Sequence, residues 1–381
     1  MYKAAQLIAY EVPTESALPA GQCTLDGNKL VEDVQNDKTF TSAMAALSAD
    51  ARARVQRMLA VMDLAFGSAS VTKAAETLKV FMAPEFYFRP QQRGAKSRSY
   101  EASDMTAAQQ AFRAVFSQAK LQHWVFVAGS LVWNMSGKVA ASSGMNDLVP
   151  HELMLALDEL AAKDLVYNTV IVGLGGSGVQ LYDKVNYSDA DDIAQGWRPL
   201  KDYCLQSPTQ NLIKADNLLI GIEVCFDHQC GQLALSYEQL KATYPSAADA
   251  PVLDLQLLTA CGMEVQFNRV VAGQDRLVFR VDGTQGAFYA SKRFDHSEIQ
   301  GVAKAGAKHA LKMLDPVSSP KPWADVNAPL DAAVLQGDYA LDVAGAEETV
   351  WKGVELTSQK LGTSFKQRLV VYPDYPLLHL G

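Results

Sequence analysis

Apolar and polar positions follow two rhythms along the chain. Short apolar runs at 4–10, 79–82, 123–133, 166–174, 180–186, 217–225 and 252–260 read as strands, several of them buried. Residues 48–65 and 105–120 instead place apolar side chains at roughly helical spacing, which predicts amphipathic helices. Helices alternating with buried strands predict an α/β protein. The glycines of Gly175-Gly-Ser-Gly178 separate two apolar runs and predict a hairpin. Polar alternation over 276–288 adds further antiparallel pairing, so the sheet is expected to be mixed. Beyond about residue 300 the pattern weakens, and Pro316, Pro320, Pro322 and Pro329 mark a loop-rich stretch. The expected organisation is a main domain over 1–300, with 301–381 as an extension packed on it.

Composition narrows the function. Of 381 residues, 49% are hydrophobic, enough for one large domain or two modest ones. The formal net charge of −8 argues against a general nucleic-acid-binding surface, although Arg89, Arg93, Lys96 and Arg98 make a local basic spot. The five cysteines are odd in number and irregular in spacing, so no disulfide framework is expected. There is no CxxC pair, and His151-Glu152 lacks the second histidine of a zinc-binding HExxH, so no metal is expected. The opening MYKAAQLIAYEV lacks the long apolar centre of a signal peptide, and no run reaches the ~18 apolar residues of a membrane span. A reducing cytoplasm is the expected compartment, and it would keep a catalytic thiol free.

Three strand ends carry candidate chemistry. Ala83-Pro-Glu85-Phe-Tyr-Phe88 delivers one carboxylate among apolar groups. Such a setting disfavours the anion and raises the pKa toward a value useful for proton transfer. The plainer reading is an ordinary glutamate paired with Arg89. Gly221-Ile-Glu-Val-Cys225-Phe-Asp227 ends a strand with a thiol, and the next backbone N–H is available to an oxyanion. The plainer reading is a buried core thiol, which Cys204, Cys230 and Cys261 are expected to be. Tyr182-Asp-Lys184 places a lysine after another strand, a weak signal alone. Together the three form a set: a base for the thiol, and a positive charge for the tetrahedral intermediate. Gly173-Leu-Gly-Gly-Ser-Gly178 lacks the Gly-Lys-Ser/Thr ending of a phosphate loop and reads as a turn.

This order of glutamate, lysine and cysteine, each in its local setting, resembles the nitrilase superfamily of carbon–nitrogen hydrolases. Ala83-Pro-Glu85 is similar to its first motif, Val166-Tyr-Asn-Thr with Tyr182-Asp-Lys184 to its second, and Gly221–Asp227 to its nucleophile motif. Val127-Ala-Gly-Ser130 and Ala4-Ala-Gln6 resemble further strand positions. The resemblance covers roughly residues 1–290. It implies an α-β-β-α sandwich that pairs into homodimers or higher assemblies. It makes Glu85 the base, Lys184 the electrophilic partner and Cys225 the nucleophile, with Phe226 lending its N–H and no cofactor required.

The departures concern a second carboxylate. Many members carry a glutamate shortly after the lysine, whereas here Asp189, Asp191 and Asp192 are the candidates. Glu223 is the other, because residues two apart in a strand share a face and Glu223 should then point with Cys225 toward Lys184. Glu223 and Asp192 are therefore expected at the substrate site beside Phe226, with a structural ion pair to Lys184 as the alternative for Glu223, and Arg89, with Arg93 and Arg98, hints there at an anionic substrate group. Residues 14–39 look like an insertion. The expected activity is hydrolysis of a small-molecule amide through a thioester. A nitrilase acting on C≡N, an acyltransferase using the same thioester, and a catalytically silent binding module remain as alternatives. The absence of a Ser-Gly-Gly-x-Asp-Ser nucleotide motif argues against a glutamine-fed synthetase.

Overall fold

A computed structural model describes residues 1–14, 24–90, 98–136, 164–188, 191, 210–273, 276–284, 297–305, 308–313, 339–342 and 366–377. The strands in the first half are β1 (Ala4–Glu11), β2 (Thr77–Met82), β3 (Tyr100–Glu101), β4 (Trp124–Ser136), β5 (Asp164–Leu174) and β6 (Gly178–Asp183). The helices α1 (Lys38–Ala46), α2 (Ala49–Gly67) and α3 (Ala102–Phe116) lie among them in sequence. Then come β7 (Leu212–Ala215), β8 (Leu218–Val224), α4 (Phe226–Cys230), α5 (Gln232–Lys241), β9 (Leu253–Ala260) and β10 (Leu277–Asp282). The chain finishes with β11 (Ser297–Ala305), β12 (Lys308–Met313), β13 (Tyr339–Asp342) and β14 (Lys366–Pro376).

These strands build two mixed sheets. The first runs β13-β14-β1-β2-β4-β5-β6, with β3 on β4; the second runs β12-β11-β10-β9-β8-β7. The parallel pairs β1–β2, β2–β4, β8–β9 and β9–β10 form the centres, and antiparallel pairs form the flanks. Alternation explains the layers. Leu7, Val80 and Val127 of the first sheet meet Ile220, Ile222, Leu257 and Phe279 of the second in one core. Their neighbours Ile8, Phe81 and Phe126 point outward, against residues of α1, α2 and α3. On the far side Leu219, Leu253 and Val278 pack with Leu233 of α5. The architecture is therefore helix, sheet, sheet, helix, and strands with both faces covered read as continuous apolar runs.

Sequence and structure agree on most elements within a few residues. The helix expected over 105–120 ends earlier, at Phe116, and Ala119–Leu121 form a separate single turn. The hairpin at Gly175–Gly178 is present as β5–β6. The run 276–288 contains β10, which is antiparallel to β11 but parallel to β9. In the C-terminal stretch, β14 lies between β13 and β1 and pairs along the length of β1, from Ala4–Pro376 to Glu11–Arg368. Residues 366–376 are thus part of the first sheet itself. Among the described residues no helix is long and apolar enough to cross a membrane.

Candidate active site

Glu85 follows β2 in a tight turn. Thr14 Oγ1 donates to Glu85 O at 2.5 Å, and the Phe86 N–H donates to Ser130 Oγ at 2.9 Å. Phe86 has φ 62°, a conformation that costs a non-glycine residue about 1–3 kcal/mol and needs the surroundings to impose it. Gly129 makes the turn possible. A Cβ there would lie 2.5 Å from Pro84 O, and its φ of 75° suits glycine. The side chain of Glu85 is fully buried.

Lys184 follows β6 directly, and its N–H donates to Asn168 O on β5 at 2.8 Å. Its Nζ donates to Glu85 Oε1 at 2.8 Å and to Asp191 Oδ1 and Oδ2 at 2.9 and 2.8 Å. Asn168 Nδ2 bridges the same two carboxylates, at 2.9 Å to Glu85 and 3.0 Å to Asp191. Ser188 holds Asp191 in place through its N–H at 2.7 Å. Two carboxylates and one ammonium are thus buried together, and such a group is tolerable only because Lys184 and Asn168 each bond both carboxylates.

Cys225 leaves the end of β8 with φ 47° and ψ −107°. Its N–H donates to Thr259 O at 3.0 Å, and its Sγ lies 3.9 Å from Cys261 O. The next residue, Phe226, opens α4, so its N–H has no partner within the helix. Thr259 Oγ1 donates to Ala83 O at 2.9 Å, which ties the end of β9 in one sheet to the end of β2 in the other. Glu85 and Cys225 therefore come from opposite sheets and meet where parallel strands end, as sites in α/β folds do.

The charges shape one another. Burial pushes Glu85 up to about 7, against the opposing pull of Lys184 and with Asp191 adding to the rise. Burial alone would lower Lys184, but Glu85 and Asp191 outweigh it and raise its pKa further, so it stays an ammonium. Burial and the charge of Glu85 also raise the Cys225 thiol, with Lys184 opposing. Glu85 Oε1 is committed to Asn168 and Lys184, while Oε2 lies buried without a hydrogen bond. The resting state this describes is a neutral thiol beside a carboxylate of raised basicity, the pairing a general base requires.

The other expected residues fall in different places. Phe226 packs beside Cys225, with Leu258, Ala260 and Met263. Arg89 is buried; it donates to Thr14 O at 3.0 Å and its guanidinium lies 4.1 Å from the Phe86 ring centroid. Asp189 and Asp192 lie outside the described residues, whereas Asp191 holds Lys184. Glu223 is a correction. It does not bond Lys184; it faces the helical layer and holds His228 Nδ1 at 2.6 Å. The two-residue rule failed because Cys225 has already left the strand, as its positive φ shows. Cys230, expected to be a core thiol, is exposed on α4, while Cys261 is buried and Cys204 lies outside the described residues.

Two site residues went unassigned in the sequence although the motifs contained them. Asn168 is a buried amide on a mostly apolar strand, next to buried Thr169. Asp227 accepts from Tyr182 Oη at 2.7 Å, Asn186 N at 2.7 Å and Asn186 Nδ2 at 2.8 Å, and so ties the nucleophile turn to the segment after Lys184. Burial raises it to about 6 despite these donors and Lys184. A carboxylate two residues beyond a strand-end thiol was the available signal.

No protein-family model matches the chain, and no curated protein matches it. Solved structures do. An amidase from Nesterenkonia sp. is 12% identical, covering 82% of this chain and 89% of its own, with a TM-score of 0.33. A CN-hydrolase superfamily protein from Xanthomonas campestris is 12% identical over 83% of each chain, with a TM-score of 0.35. A glutamine-dependent NAD(+) synthetase from Cytophaga hutchinsonii is 12% identical with a TM-score of 0.29, and this chain spans only 36% of it. At these scores the likenesses carry no argument about activity, which rests on the site's own geometry.

Proposed function

We propose that the protein is a cysteine-dependent hydrolase of the nitrilase superfamily that cleaves the C–N bond of a small-molecule amide. The observation that supports this most is the buried cluster in which Lys184 joins Glu85 to Asp191 beside the Cys225 thiol.

The chemistry follows from the placement. Cys225 Sγ attacks the carbonyl carbon while its proton passes to Glu85. Negative charge develops on the carbonyl oxygen, where Lys184 Nζ and the Phe226 N–H receive it. As the tetrahedral intermediate collapses, Glu85 returns the proton to the leaving nitrogen, and an amine departs. Water then attacks the thioester with Glu85 again as base, the acid leaves, and the thiol is restored. Asp191 keeps Lys184 protonated and aimed, and so fills the place of the second carboxylate for which Asp189, Asp191, Asp192 and Glu223 were the candidates.

A panel of substituted amides, nitriles and N-carbamoyl compounds tests this, with Cys225→Ala as blank. The expected products are an acid and an amine, formed only by the parent. Hydrolysis of nitriles with every amide untouched, or amide turnover that survives in the blank, would contradict it.

A further inference from the structure

A second buried network lies behind the nucleophile turn and takes no part in the steps above. His228 is three residues beyond Cys225 and fully buried. Its Nδ1 is 2.6 Å from Glu223 Oε2, and its Nε2 is 2.8 Å from the backbone nitrogen of Gln266. A backbone N–H can only donate, so Nε2 must accept. The single ring proton then sits on Nδ1 and is given to Glu223.

Glu223 is itself fixed. It accepts from Gln256 Nε2 at 2.7 Å and from the Leu233 N–H at 3.3 Å, and Gln256 Oε1 accepts from the Val271 N–H at 2.8 Å. The network therefore joins β8, β9, α4, α5 and the stretch 266–272. That stretch continues from Cys261, whose carbonyl is the neighbour of Cys225 Sγ, and from Met263, which packs against Cys225.

We infer that His228, held as its Nδ1–H tautomer between Glu223 and the Gln266 N–H, is a positioning residue that aims Cys225 and the Phe226 N–H. This rests on the cysteine-hydrolase reading. Two features make such an anchor necessary. The helix α4 has five residues, too few for its own hydrogen bonds to fix its direction. Cys225 is strained at φ 47°, and strain of this kind persists only where the surroundings over-determine it. His228 is one of two anchors on the short helix: Asp227 ties it to the segment after Lys184, and His228 binds β8 on one side and the wall of the site on the other.

Nitrogen-15 NMR of His228 in the full chain at pH 8 reads the tautomer directly. A protonated Nδ1 and a bare Nε2 are expected, and the opposite assignment overturns the inference. Two variants then divide the bonds. His228→Asn keeps a donor near Glu223 and loses the acceptor for Gln266; His228→Gln does the reverse. Each is expected to lower kcat on the best amide of the panel roughly 10- to 100-fold, because small misplacements of reacting groups are costly. KM should stay within about twofold, since the residue touches no substrate. Variants that melt earlier but keep the parent kcat would make His228 merely structural and overturn the inference. Turnover that survives Cys225→Ala would instead defeat the cysteine-hydrolase reading and leave the tautomer result standing.

Discussion

Asp191 and Glu223 are both buried carboxylates near the nucleophile turn, yet they hold opposite kinds of partner. Asp191 grips the Lys184 ammonium with both oxygens, and Lys184 and Asn168 each bond both Asp191 and Glu85. Glu223 receives only neutral donors: an imidazole N–H, the Gln256 amide and a backbone N–H. A carboxylate inside a charged cluster sets the protonation of the reacting groups, because interactions between charges are strong in a buried site. One that holds neutral donors sets geometry and leaves those charges alone. The two should therefore separate in both the size and the pH dependence of their effects.

The largest effect lies with the group both carboxylates serve. Cys225→Ala or Cys225→Ser is expected to lower kcat roughly 10⁴-fold or more, with the fold intact by circular dichroism. Residual activity within tenfold of the parent would remove Cys225 from the chemistry.

Asp191→Asn comes next. It takes away one of two charges that hold Lys184, and kcat is expected to fall on the order of 10²-fold, about 2.7 kcal/mol of barrier, with little change in KM. Glu223→Gln keeps the shape and costs only alignment, so about a tenfold loss in kcat is expected. Steady-state kinetics that ranked the two in the other order would break the distinction.

The pH profile sharpens it. As a base, Glu85 must be unprotonated, and burial puts its pKa at about 7. The value of kcat/KM should therefore fall as pH drops below about 7, tenfold per unit well below it. Asp191 contributes to that elevation, so Asp191→Asn should move the acid limb to lower pH. Glu223→Gln should leave it where it is. An acid limb that moved with Glu223 and stayed with Asp191 would reverse the roles.

Stability, rather than rate, tests the scaffold. Gly129→Ala sets a Cβ against Pro84 O, at a φ of 75°, under the turn that carries Glu85. A loss of about 1–3 kcal/mol is expected in chemical denaturation. A parent-like midpoint would show that the turn yields without cost.

Much of this was legible in the sequence. Strands such as β2, β4 and β8 are covered on both faces, so their apolar runs are easily seen although Lys79 and Glu223 interrupt two of them. Glu85, Lys184 and Cys225 were each weak alone, and their order along the chain joined them. The choice among carboxylates could not be read. It depends on where Cys225 leaves the strand, and one positive φ there turns it away from the face that Glu223 keeps. It also depends on the loop after Lys184, where adjacent aspartates look alike until Ser188 captures Asp191. Nothing in the sequence joined His228 to a network, because its partner Gln266 is 38 residues away. Residues 366–376 read as part of a loop-rich extension, since their pairing with β1 spans nearly the whole chain.

The central claim is that Cys225 carries the acyl group. Acid quenching during turnover of the best amide, followed by peptide mapping in a mass spectrometer, measures it directly. The expected result is an added acyl mass on the peptide containing Cys225, lost on incubation with hydroxylamine. Acylation of Cys261, of Cys230 or of a side chain other than a cysteine would contradict the account.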